Sequence, residues 1–184
     1  MSDPKKPSPA KLLIGVFMKE KEVFVEVLNR LQSLFGDVDI ISAWFDFDFT
    51  KYYEPEMGSP LFRRIIVFKN LIRQDALSEI KLKTNEIEKE FSFETDQSGQ
   101  RGKRAINIDP GYMLRERFVL ATGKNFAHRI YIGNKIYADL TFIFHKGAFK
   151  TLPWTYPDYA ADNMIEFLKK VRAKYVRDLT ILTY

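Results

Sequence analysis

The chain has 184 residues, a net charge of +5 and no cysteine, with 46% hydrophobic and 15% aromatic residues. Without a thiol it can have no disulfide, no thiolate nucleophile and no Cys-ligated zinc or iron–sulfur centre. At this length one domain buries roughly 70% of its exposable surface without covalent staples, and sixteen Phe and nine Tyr favour a sheet-rich core.

The N-terminal "MSDPKKPSPAK" has no apolar stretch of the kind a signal peptide needs, and residues 1–10 are expected to be a disordered tail. Residues 11–184 are expected to form a single α+β domain. No apolar run approaches the roughly 20 residues that span a bilayer, so a soluble cytoplasmic protein without membrane contact is expected.

"KLLIGVFM" (11–18) reads as a buried strand. Val23, Val27, Leu28, Leu31, Leu34 and Phe35 then recur at helical spacing, and Gly36 is placed to close that helix. In "IISAWFDFDFT", Ala43, Phe45, Phe47 and Phe49 alternate with Trp44, Asp46, Asp48 and Thr50, the period of a half-buried strand. "KYYEPEMGSP" is a loop by its Pro and Gly, and "LFRRIIVFKNLI" is the next strand. Asp75 is placed to cap a second helix whose apolar side carries Leu77, Ile80, Thr84, Ile87 and Phe91.

"ETDQSGQRGK" is a polar loop expected to be disordered. A strand at 104–109 completes a ferredoxin-like β-α-β-β-α-β order. Hairpins follow: 104–109 into 117–122, then 128–133 into 135–144, then 148–152. A last helix is expected from 159 to 178 with Asp158 as its N-cap. The expected architecture is a mixed, mainly antiparallel sheet with helices packed on one face.

The second hairpin brings a histidine to a carboxylate. With a two-residue turn at Gly133-Asn134, His128 lies opposite Asp139. With the turn at Asn134-Lys135, it lies opposite Thr141. A His–Asp pair suits acid–base work or metal ligation, and equally a structural ion pair across strands. Asn107 interrupts "INID" between two isoleucines. Asp109 shares its face and is expected to be turned to a pocket mouth by an Asp-Pro-Gly turn. Glu54 and Glu56 sit beside Tyr52 and Tyr53. Trp154, Tyr156, Asp158 and Tyr159 gather before the last helix, either as a stacking wall or as an aromatic cover on the core. Lys170, Lys174 and Arg177 share one helix face, read as solvated in preference to a polyanion patch. Phosphate-loop, dinucleotide, G-x-S-x-G and H-E-x-x-H motifs are all absent.

"FDFTKYYEPEMG", "KLKTNEIE", "RAINIDPGYM", "FVLATGKNFAHRIYIG", "IYADLTF" and "WTYPDY" occur in that order across residues 10–177. Together they resemble an uncharacterised prokaryotic family, the domain-of-unknown-function 4416 family. The resemblance implies a polar signature that includes Tyr53, Glu54, Lys83, Thr84, Asn85, Asn107, Asp109, Lys124, His128, Arg129, Thr141, Trp154, Tyr156, Asp158 and Tyr159. Asp139 stands where the family pattern has Glu.

Two functions are consistent with these residues. The favoured one is a domain that binds or acts on a small anionic, nucleotide-like ligand. Lys124 and Arg129 would neutralise its charge, with Asn107, Tyr53, Trp154, Tyr156 and Asp158 also binding. His128, Asp139 and Asp109 would be the catalytic groups, and Glu54 with Asp109 would hold Mg²⁺. The alternative is a non-catalytic module that meets RNA or a protein through the basic helix or a sheet edge, with nucleic acid disfavoured because no RNA-recognition motif is present. Whether the protein is an enzyme, and its oligomeric state, stay open.

Overall fold

The computed structural model describes residues 2–92 and 104–181, so the polar loop expected at 94–103 lies outside the described residues. The helices are α1 (Phe24–Phe35), α2 (Glu54–Met57), α3 (Leu77–Glu90) and α4 (Asp162–Ile181). The strands are β1 (Ala10–Met18), β2 (Val38–Ile41), β3 (Phe45–Asp46), β4 (Phe62–Ile72), β5 (Ile106–Met113), β6 (Arg117–Thr122), β7 (Arg129–Tyr131), β8 (Tyr137–His145) and β9 (Ala148–Thr151). All strand pairs are antiparallel, in the order β2-β4-β1-β5-β6-β8-β7, with β3 on β4 and β9 on β8. The fold is α+β with an open antiparallel sheet, as the element pattern implied. Among the described residues no helix is long and apolar enough to cross a membrane.

β1 is buried along its whole length because it runs between β4 and β5 with helices on both faces. Side chains alternate across a strand, so its even and odd positions enter two different cores. Leu12, Ile14, Val16 and Met18 pack with Ile66, Phe68, Ile106 and Ile108 beneath α1 and α3. Leu13, with Ile65 and Val67, joins the core built on Met164, Leu168, Val171 and Tyr175 of α4. The helices therefore cover two faces, not the single face expected: α1 and α3 lie on one and α4 on the other. Lys11, also odd, is fully buried and pins α4 by ion pairs of 2.7 Å to Asp178 and to Asp39 of β2. The chain is already tied at Ser8 and Pro9, whose carbonyls accept from Gln74 Nε2 and Tyr175 OH.

Several local expectations are corrected. The alternating aromatics 43–49 form only the two-residue β3; the Phe47 N–H still donates to the Leu61 carbonyl, and its ring stacks on Phe17 with centroids 4.5 Å apart. The loop at 51–60 contains α2. Asp75 lies in a 3-10 turn paired to Arg73, and α3 starts at Leu77 without a side-chain cap. α4 starts at Asp162, so Asp158 is not its cap. Asp109-Pro110-Gly111 is not a turn: β5 runs straight through it to Met113, and the hairpin closes where Leu114 N–H donates to Arg117 O. The β7–β8 hairpin turns on three residues, Gly133, Asn134 and Lys135, all at positive φ, inside the bond from Ile132 N–H to the Ile136 carbonyl. Its register falls between the two considered, so Arg129 pairs with Asp139.

Candidate functional site

The sheet splits between β5 and β6. Their ladder covers only Gly111–Met113 against Phe118–Leu120. At Gly111 the strands are so close that a Cβ would lie 2.5 Å from the Val119 carbonyl oxygen. On the N-terminal side Pro110 has no N–H to continue the ladder. Two residues earlier, Ile108 turns its backbone groups to α3 instead. Its N–H donates to Glu88 Oε1 (2.7 Å), and its carbonyl accepts from Lys81 Nζ (2.6 Å). Both side chains are buried on the helix face that also carries Leu77, Ile80, Thr84 and Ile87, which satisfies an edge that no strand covers among the described residues. The opening is a cavity of about 500 Å³, within the usual size of ligand sites.

The deep wall is built around Arg63. Its guanidinium lies 4.6 Å from the ring centroid of Phe47, 4.8 Å from Tyr159 and 5.2 Å from Phe17. It pairs directly with Asp158 and stands 3.7 Å from Asp109. Asp109 and Asn107 share a face of β5, opposite Ile106 and Ile108. Asn107 Oδ1 accepts from Arg104 Nη1 at 3.0 Å, while Arg104 also grips Glu56 through two bonds of 2.8 and 2.7 Å. Arginine has only donors, so the amide must present its oxygen there and leave Nδ2 turned away. Asn107 Nδ2 is buried without a partner among the described residues, and Tyr159 OH, whose oxygen is hydrogen-bonded by Arg63, has no acceptor there for its own proton. Burial pushes the Tyr159 phenol up to about 12, with Arg63 opposing and Asp109 adding to the shift. It therefore keeps its proton at neutral pH and is a donor. Tyr53, half-buried on the same wall, is raised further by burial and by Asp109.

The mouth is cationic and aromatic. Lys124 Nζ bonds Tyr52 OH at 2.9 Å and holds that phenol below its ordinary value, first through the hydrogen bond and then through its charge. Lys124 has no carboxylate partner among the described residues. Arg129 donates to Asp139 Oδ2 (2.9 Å), to Tyr156 OH (2.7 Å) and to the Lys124 carbonyl (3.0 Å). Phe49, Tyr52 and Tyr156 line the cavity yet stay 49%, 64% and 46% exposed.

Of the residues singled out from sequence, Asn107, Asp109, Lys124, Arg129, Asp139, Tyr53, Tyr156 and Asp158 all line this cavity. His128 reaches Asp139 Oδ2 at 3.3 Å, but that oxygen already accepts from Arg129. His128 stacks flat on Trp154 (centroids 4.7 Å, 10°), whose indole N–H donates to Leu140 O. Neither His128 nor Trp154 lines the cavity, and neither does Glu54 at the start of α2. Among the described residues no group of three or more His, Asp or Glu is arranged around one metal position. On α4, Lys174 is committed to Asp39 and Asp178, while Lys170 and Arg177 are exposed.

Sequence reasoning missed Arg63, Lys81, Glu88 and Arg104. Two signals were available. Arg63 interrupts an apolar strand run, and Lys81 and Glu88 stand seven apart on the same helix face as Ile80, Thr84 and Ile87.

A family model described as "Domain of unknown function (DUF4416)" matches residues 8–175. No curated protein and no solved structure matches significantly.

Proposed function

The chain belongs to the family described as Domain of unknown function (DUF4416), and for this member we propose a cytoplasmic protein that binds a small anionic, ring-bearing ligand in the β5–β6 cavity. The carrying observation is the pair of buried donors without acceptors, Asn107 Nδ2 and Tyr159 OH, in two residues that line a cavity with Lys124 at its mouth. A buried donor left empty costs about 1–3 kcal/mol, and an oxygen-rich ligand removes that cost. Exposed Phe49, Tyr52 and Tyr156 suit a flat ring. Binding and not a reaction is proposed, because His128 lies beside the cavity and shares its carboxylate with Arg129. We also read the first half of the chain as a ferredoxin-like unit, on the β2-β4-β1-β5 order with α1 and α3 on one face.

The test is a thermal-shift panel of phosphate esters, aromatic carboxylates and their neutral counterparts. A ligand at about 100 times its Kd adds roughly 2.7 kcal/mol, or about 5–11 °C for a chain of this length. At least one anion should give such a shift while its neutral counterpart does not, and Tyr159→Phe and Lys124→Met should each reduce it. Shifts from none of the anions, or shifts indifferent to both substitutions, would overturn the reading.

A further inference from the structure

We infer that the cavity selects the singly protonated head group of a phosphate monoester, with Asp109 accepting that proton's hydrogen bond, and that it discriminates against sulfate esters. This rests on the anion-binding reading and specifies the ligand's chemistry.

Asn107 and Asp109 stand two residues apart on one face of β5, roughly 6.5–7 Å along the strand. Across the ladder Asp109 is in register with Gly15 of β1. A Cβ on Gly15 would sit 3.2 Å from Tyr159 OH and 3.6 Å from the Asp109 carbonyl oxygen, so the phenol overlies this same part of the wall. The local pattern is two neutral donors, Asn107 Nδ2 and Tyr159 OH, beside one acceptor, the Asp109 carboxylate.

The charged and titratable groups around Asp109 are Arg63 from β4, Asp158 and Tyr159 from the segment before α4, and Tyr53 from the segment before α2; Arg104, bonded to Asn107, is itself matched by Glu56 and Glu88. Arg63 cannot supply a net positive charge, because one guanidinium serves both Asp158 and Asp109. A fully ionised head group would therefore meet a surplus carboxylate at close range, where like charges repel strongly. A phosphate monoester avoids this. Its second pKa is about 6, so keeping one proton near neutrality is inexpensive. That hydroxyl donates to Asp109 while the remaining oxygens accept from Asn107 and Tyr159. A sulfate ester has the same shape and the charge of the singly protonated phosphate, but no proton, so one of its oxygens must face the carboxylate without a hydrogen between them. The ester's ring lies outward, among Phe49, Tyr52 and Tyr156.

Phenyl phosphate and phenyl sulfate, titrated calorimetrically at pH 6.5 into the full chain, isolate this proton. The wild type should bind the phosphate at least tenfold more tightly than the sulfate. Asp109→Asn turns the acceptor into a group that can also donate, so it should bring the two affinities within about threefold, mainly by strengthening the sulfate. Tyr159→Phe should weaken both esters while leaving their ratio unchanged, which separates loss of the wall from loss of selection. Equal affinities in the wild type, or a ratio untouched by Asp109→Asn, would overturn the selector but leave the anion site standing. If neither ester binds while another anion of the panel does so in a Tyr159-dependent way, the phosphate assignment alone falls. If no anion binds, both readings fall together.

Discussion

Removing Asp158 should strand a charge in the protein interior. The Arg63 side chain is 5% exposed and that of Asp158 is 9%, with aromatic rings packed around the guanidinium. After Asp158→Ala, Asp109 is the one carboxylate among the described residues still paired with Arg63, at 3.7 Å and itself a quarter exposed. Breaking such a buried pair from one side costs about 3–5 kcal/mol. At about 2–4 °C per kcal/mol for a chain of this length, Tm should fall by about 6–20 °C. Removing both charges together, in Arg63→Met with Asp158→Leu, leaves no buried ion of the pair and fills similar volume, while Asp109, a quarter exposed, keeps its contact with water. Such replacements are often close to neutral, so the double variant should be more stable than Asp158→Ala alone. Urea and thermal denaturation of Arg63→Met, Asp158→Leu and the double variant measure the cycle. A loss below about 1 kcal/mol for Asp158→Ala, or additive effects in the double variant, would refute the claim that this pair is a desolvated unit.

Gly111→Ala should cost about 1–3 kcal/mol, because the new methyl meets the Val119 backbone, which cannot swing aside; amide hydrogen exchange should then rise at Tyr112 and Leu120. Glu88→Leu should leave the Ile108 N–H unpaired and lose about 1–3 kcal/mol in denaturation, and Glu88→Gln should recover most of it. Burial pushes the Asp39 and Asp178 carboxyls up, but hydrogen bonds from Lys11 and Lys174 outweigh it and hold both below their ordinary value. Depressed carboxyls stabilise the fold above the ordinary value, near 3.9, and that contribution is lost as pH falls below it. Stability should therefore drop below about pH 4, and Lys11→Met should make the drop shallower in acid titrations followed by circular dichroism.

The α+β class, the central strand at 11–18 and the helix ended by Gly36 were legible because each rests on local periodicity and backbone chemistry. The polar side chains that gather in the cavity were legible as interruptions: Asn107 between two isoleucines and Asp109 two positions on. The split in the sheet was not. It depends on Pro110 removing a ladder donor and on Lys81 and Glu88 arriving from a helix to replace the missing strand, and no pattern within β5 announces those partners. Asp109-Pro110-Gly111 has turn composition, yet pairing with β1 along all of Ile106–Met113 holds it extended, so tertiary context overrode local preference. The one-residue difference in the β7–β8 turn moved Arg129, not His128, opposite Asp139; Gly133 and Asn134 suit positive φ and point to a two-residue turn, whereas nothing in the sequence announces the positive φ that Lys135 also takes. Arg63 showed in the sequence as a charge within an apolar strand, but its role did not: its partners, Asp158 and Asp109, lie far from it in sequence, and only packing brings them together.

The most direct measurement is a crystal structure of the full chain grown with phenyl phosphate. The predicted result is the phosphoryl group in the β5–β6 cavity, with oxygens within hydrogen-bond distance of Asn107 Nδ2, Tyr159 OH and an Asp109 carboxylate oxygen, and the phenyl ring among Phe49, Tyr52 and Tyr156. A cavity that holds only water, with those two donors satisfied by it and the ester absent or bound elsewhere, would contradict the account.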